Sequence, residues 1–150
     1  MQIDVLGIKD VQAKDATTMN DHGQLGGVAL AWFVQTDWPV ARERWVELQE
    51  IGLPVDHREY SRHMQGRLLA LAKANLPNIH VAPLTVTGLE TYARENGADP
   101  GTGETRSAYA AELLRTGQAI SWPPERNASC WCGSERKYKT CCMSAPIKEN

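Results

Sequence analysis

The chain predicts a mainly α protein: a body of about five helices with little or no strand, followed by a small C-terminal module. Three observations lead there. Helix start and stop signals recur between residues 26 and 117, the segments between them are short, and all four cysteines are gathered at positions 130, 132, 141 and 142. At 150 residues the chain has the size of one domain, enough to bury about two-thirds of its unfolded surface without disulfides. A hydrophobic content of 42%, a charged content of 23% and a net charge of -2 argue against a disordered or globally basic chain.

Residues 1–22 open with a short alternating run, Ile3, Val5 and Ile8, and continue into polar sequence, so this part is expected to be weakly ordered. VALAWFV, after Gly26 and Gly27, is apolar at every position, which suits a helix buried on most of its surface. In TDWPVARERWVELQEIG, Asp37 stands as N-cap and Pro39 in the first turn; Ala41, Trp45 and Leu48 form a stripe, and Gly52 follows the end of this second helix. Asp56 caps a third, with Glu59 completing a capping box and Val55 and Tyr60 placed as a hydrophobic staple; its core stripe is Tyr60, Met64, Leu68 and Leu71. NIHVAPLTV is rich in β-branched residues but contains Pro83, and reads as an extended connection or a short edge strand. Thr87 and Glu90 form a second capping box opening a fourth helix, GLETYAREN. A fifth helix runs from about Glu104 to Thr116, with Tyr109, Ala110, Leu113 and Leu114 inward and Gly117 beyond. Trp122-Pro123-Pro124 stops regular structure, so residues 118–125 read as a linker. The body is then 1–124, the cysteine module 125–145, and 146–150 a disordered tail.

The longest apolar stretch, Gly26 to Val34, is far shorter than the roughly 20 residues a membrane span needs. MQIDVLGIKD lacks the basic and apolar regions of a secretory leader. A cytoplasmic location is therefore expected, where thiols stay reduced and clustered cysteines favour metal over disulfides. Cys130-Trp-Cys132, eight residues, then Cys141-Cys142 can surround one soft divalent ion. Zinc is the expected cofactor, with iron also compatible, and four thiolate ligands leave no open position for water or substrate. The adjacent pair can share an ion only if the backbone bends there, so metal binding is expected to order the segment. Residues 125–150 hold Arg126, Arg136, Lys137, Lys139 and Lys148 against Glu125, Glu135 and Glu149, a net +2, which leaves -4 on the rest of the chain.

The run from Arg126 to Cys142, RNASCWCGSERKYKTCC, resembles the SEC-C motif, the zinc-binding tail of the bacterial SecA translocation ATPase. The cysteine spacing, Arg126-Asn127, Gly133-Ser134 and the basic-aromatic run Arg136-Lys137-Tyr138-Lys139 carry the likeness. Ala128-Ser129 stands where Asp-Pro is common, and Glu135 replaces a turn glycine. The body resembles that of small bacterial proteins with such a tail. Within it, AWFVQTDWPVARERW, through Thr36, Asp37, Trp38 and Ala41, is similar to the middle of a tetratricopeptide repeat, without a second copy. The resemblance to the SEC-C motif implies a docking surface for an acidic partner such as ribosomal RNA, a chaperone or anionic lipid, formed by Trp131, Arg136, Lys137, Tyr138 and Lys139. The same basic residues can offset the charge of the thiolates, and Trp131 either covers the metal or meets the partner.

The function expected is a non-enzymatic adaptor whose metal-held tail docks on a protein or the ribosome. One alternative is nucleic-acid binding, with bases stacking on Trp131 or Tyr138 beside the basic residues. Another is an enzyme in the helical body with purely structural zinc. His22, His57, His63 and His80 specify no site by their spacing, and no phosphate loop, nucleophile elbow or metalloprotease motif occurs. No catalytic residue is assigned, and a small-molecule substrate is not expected. Trp32, Trp38 and Trp45 belong either to the core or to a peptide-binding groove.

Overall fold

The apolar run expected to open a helical body is a strand. In a computed structural model that describes residues 27–143, β1 (Val28–Phe33) pairs in parallel with β2 (Ile79–Leu84), from Val28 opposite Ile79 to Phe33 opposite Leu84. A two-residue β3 (Ile120–Ser121) joins the other side of β2 in antiparallel sense, so the sheet is mixed, with order β1-β2-β3. This corrects the mainly α expectation: the fold combines helices with a three-stranded sheet. The physical reason lies in the run itself. A segment apolar at every position fits a strand covered on both faces as well as a buried helix, and only its short length separates the two. The tetratricopeptide-like hairpin loses its first helix for the same reason. The segment 1–22, expected to be weakly ordered, and the segment 146–150, expected to be a disordered tail, lie outside the described residues.

β2 is the central strand despite Pro83. The Val28 amide bonds the Asn78 carbonyl and the Val34 amide bonds that of Leu84, so even-numbered residues of β2 direct their backbone toward β1. The Pro83 nitrogen therefore faces the side of β3, whose last partner is Val81. No ladder bond is lost where the proline sits.

Three helices, α1 (Trp38–Arg44), α2 (Glu47–Glu50) and α3 (His57–Lys73), connect β1 to β2; α4 (Val86–Glu95) and α5 (Gly103–Arg115) connect β2 to β3. The single helix expected after Asp37 is broken at Trp45, whose backbone is extended (φ -120, ψ 99). Asp37 does not cap its own helix. Its carboxylate accepts the Val86 amide at 2.8 Å, satisfying an orphan donor in the first turn of α4. The cap of α4 proper is Thr85, two residues before the expected Thr87, and its hydroxyl accepts from the Gly88 amide. Asp56 does cap α3, accepting the Glu59 amide at 3.1 Å. Val55 is 69% exposed and forms no staple; Tyr60 turns inward and stacks on Trp38 with ring centroids 3.8 Å apart.

Both α3 and α5 pack on β1 and β2. The core they enclose includes Phe33, Trp38, Tyr60, Leu68, Val81, Leu84 and Leu89, and Trp32 and Trp45 are buried with them. With Trp38 fully buried, the three tryptophans are core residues. The Tyr60 hydroxyl accepts the buried Phe33 amide at 2.9 Å, and burial holds its phenol well above the usual range. Tyr60→Phe leaves that amide without a partner, and a loss of about 1–3 kcal/mol is expected in urea denaturation. No helix among the described residues is long and apolar enough to cross a membrane.

Candidate metal centre

Residues 126–130 and 136–139 run antiparallel and set the frame of the cysteine site. The Cys130 amide donates to the Arg136 carbonyl at 2.8 Å, Tyr138 to Ala128 at 2.9 Å and Lys139 to Arg126 at 3.0 Å. The turn that joins them places Gly133 at φ 80 and Glu135 at φ 70. The first suits glycine, but the second holds a side chain in the left-handed region, where L-residues lose about 1–2 kcal/mol. Gly133→Ala meets no atom within 4 Å, so its cost is the backbone's alone, about 1–2 kcal/mol. Glu135→Gly is expected to act in the opposite sense by about 0.5–1 kcal/mol, after the extra entropy of glycine. Chemical denaturation of the metal-loaded protein measures both.

After a single 3-10 turn over Tyr138–Thr140, Cys141 takes φ -122 and ψ -110. That backbone is neither helical nor extended, and it turns the adjacent cysteines toward one point. The four sulfurs lie within 4.8 Å of one another, and the Sγ atoms of Cys132 and Cys141 are 3.6 Å apart. A tetrahedral ion bound at about 2.3 Å by four thiolates has sulfur–sulfur edges of about 3.8 Å. The donor set therefore fits one metal ion. All four are free thiols; Cys130 and Cys142 are buried, while Cys132 and Cys141 are half-buried. Among the described residues no other group of His, Cys, Asp or Glu forms such a cluster.

Without a cation, thiols this crowded share their protons. Cys132 is held far below the usual thiol range, chiefly by hydrogen bonds from Cys130 and Cys142, with a contribution from Ser134. Its neighbours move the other way. The bond to Cys132 pushes Cys130 up to about 11, and the bonds to Cys130 and Cys132 push Cys142 up further. Cys132 is stable as a thiolate in the cluster, and Cys130 and Cys142 need a metal charge to ionise.

The module is fastened to the body through Gln65, a fully buried residue of α3. Its Oε1 accepts the indole N–H of Trp131 at 3.0 Å and that of Trp122 at 3.2 Å. Its Nε2 donates to the Tyr138 hydroxyl at 2.9 Å. Indole nitrogens only donate, so the amide orientation is fixed by its partners. Trp131 also meets Trp32 edge-on at 5.3 Å, and the Trp32 N–H bonds Ser61 of α3. The stretch read as a linker, residues 118–125, contains β3 and the buried Trp122, whose amide bonds the Ile79 carbonyl. No sequence motif announced Gln65. The available signal was a polar residue at an inward position of α3, between Met64 and Leu68.

Of the residues proposed from sequence for partner contact, Trp131 and Tyr138 are 3% and 5% exposed, so neither presents a free ring face. Arg136 and Lys137 are exposed and Lys139 is half-buried. Among the histidines, the His57 Nε2–H bonds the Phe33 carbonyl and a ring nitrogen of His80 bonds the Asn78 carbonyl. His63 lies exposed on α3, and His22 is outside the described residues.

A family model described as Domain of unknown function (DUF8829) matches residues 35–125. One described as SEC-C motif matches residues 126–144. No curated protein and no solved structure matches the chain.

Proposed function

The chain belongs to the DUF8829 domain family and carries a SEC-C motif directly after that domain, and on that premise we propose that it is a cytosolic zinc-binding adaptor. The metal at Cys130, Cys132, Cys141 and Cys142 is zinc, and its role is to hold the shape of the module. The module docks on an acidic macromolecule, the ribosome or a component of the chaperone and export machinery, through Arg136, Lys137 and Lys139.

One observation carries this reading: the aromatic residues Trp131 and Tyr138 of the motif are buried against the body, while three of its four cations, Arg126, Arg136 and Lys137, are exposed. Trp131 and Tyr138 are bonded to Gln65, and Arg136 and Lys137 of the same short segment stand exposed. A rigid basic exterior attracts acidic partners and sets the salt dependence of the encounter. The test is cosedimentation with ribosomes and binding to purified export components, comparing the full chain with Lys137→Glu/Lys139→Glu after metal content is matched. Loss of binding in the variant is expected, and equal binding by the two proteins would sink the reading.

A further inference from the structure

A cleft of about 580 Å³ lies between the first turns of α3 and the cysteine turn, and it opens on the half-buried sulfurs of Cys132 and Cys141. That volume is in the range of small-ligand sites. Its lining includes arginines from two elements: Arg58 and Arg62, one helical turn apart on α3, and Arg136 from the cysteine turn. Among the described residues lining it, Glu135 supplies the sole carboxylate.

These cations are weakly engaged. Arg58 makes no ion pair or hydrogen bond among the described residues. Arg62 stands 3.8 Å from Glu59 on its own helix, and Arg136 gives one N–H to the Thr140 carbonyl at 3.0 Å. Two arginines at i and i+4 near a helix start repel each other and oppose the helix dipole. The arrangement is unfavourable for an empty helix. The Asp56 cap takes the Glu59 amide in the first turn of α3, and the arginine side chains supply the charge. Beneath them lies Ser61, whose Oγ accepts the Trp32 indole N–H at 3.1 Å, leaving its own proton to donate. A donor-rich wall of this kind suits an anion with several oxygens, since guanidinium groups from different directions can each take a separate edge of a tetrahedral group.

We propose that this cleft is a binding site for a phosphate group, carried by a small molecule and clamped by Arg58 and Arg62 of α3 against Arg136 of the cysteine turn. Arg136 is shared with the docking surface, but Lys137 and Lys139 of that surface do not line the cleft, and Arg58 and Arg62 do not belong to the surface. Its failure and that of the docking reading are therefore separable.

Calorimetric titration of the purified full chain, in a sulfate-free buffer at moderate salt, uses inorganic phosphate, pyrophosphate and adenosine monophosphate as probes. Saturable binding of at least one probe is expected, and comparison of the three tells a free oxyanion from a phosphate ester. Arg58→Gln and Arg62→Gln should each weaken it roughly tenfold, the loss of one charge-assisted contact. Lys137→Gln should leave it unchanged. Metal content and circular dichroism establish that the variants are folded. Equal weakening by Lys137→Gln would show diffuse charge attraction and overturn the site. Absence of binding by all three probes, together with weaker metal retention in the arginine variants, would assign these cations to offsetting the thiolates and overturn it as well. Binding of a single-stranded RNA oligonucleotide that pyrophosphate does not displace, with no binding of the small probes, would place the recognition elsewhere.

Discussion

Gln65→Leu is expected to lower the stability of the whole chain by about 3–5 kcal/mol, because three buried polar groups lose their partner at once. The Trp122 and Trp131 indoles both donate to its Oε1, and Tyr138 takes its Nε2–H. Leucine matches much of the volume and none of the bonding, so the loss reports the polar contacts rather than a cavity. Burial holds the Tyr138 phenol above its usual range, opposed by the Gln65 bond and reinforced by Cys130 and Cys142. It stays neutral and cannot answer the loss by ionising. Urea denaturation followed by far-ultraviolet circular dichroism and by tryptophan fluorescence measures the effect. The two probes should move together to lower urea, since Gln65 joins elements on both sides of residue 125. If only the fluorescence transition moves, the module is energetically independent of the body.

Cys142→Ser is expected to lower bound metal to well below one equivalent and to release the segment around Trp131. Structural thiolate sites contribute on the order of 10 kcal/mol of folding free energy, and a hydroxyl does not replace a thiolate toward a soft ion. Metal analysis after gel filtration gives the first quantity, and the tryptophan emission maximum gives the second, moving to longer wavelength as Trp131 leaves the pocket it shares with Trp32. The pH dependence has a definite sign. Cys130, pushed up to about 11, and Cys142, pushed up further, both hold protons at neutral pH in the metal-free protein. Binding must displace them, so metal affinity rises with pH and falls on acidification, by up to about a hundredfold per pH unit for two protons. Competition with a chromophoric chelator across pH 6 to 8 checks the slope, and a flat profile would mean that the thiols are already ionised.

What could be read from the sequence was local. The Asp56 cap and the inward Tyr60, Met64 and Leu68 of α3 follow from residues a few positions apart. The same holds for α5, although its cap is Thr102 and its first residue Gly103. The four cysteines fall within the 13 positions from Cys130 to Cys142, and their type and spacing indicate one centre, whose sulfurs the geometry brings within 4.8 Å of one another. The sheet depends on partners far apart. Val28 meets Ile79 across the whole crossover, and nothing inside VALAWF distinguishes that pairing from a buried helix. Thr87 was read as the cap of α4, but β2 ends at Leu84 and the helix starts directly after it, with Thr85 as its cap. Asp37 was recognised as a cap, but the helix it serves lies 49 residues further on. Glutamine at position 65 acquires meaning only with Trp122, Trp131 and Tyr138 around it.

The separation between Gln65 and Tyr138, 73 residues, also sets a schedule for synthesis. At roughly 5–20 residues per second, about 4–15 s pass between the polymerisation of α3 and that of the last group that satisfies its buried amide. Throughout that interval Gln65 and the Trp32 edge of β1 lack the cover of Trp131 and Tyr138. The nascent body thus carries an uncovered patch waiting for its own tail, and chaperone demand should persist late into translation, falling only when the cysteine segment has emerged.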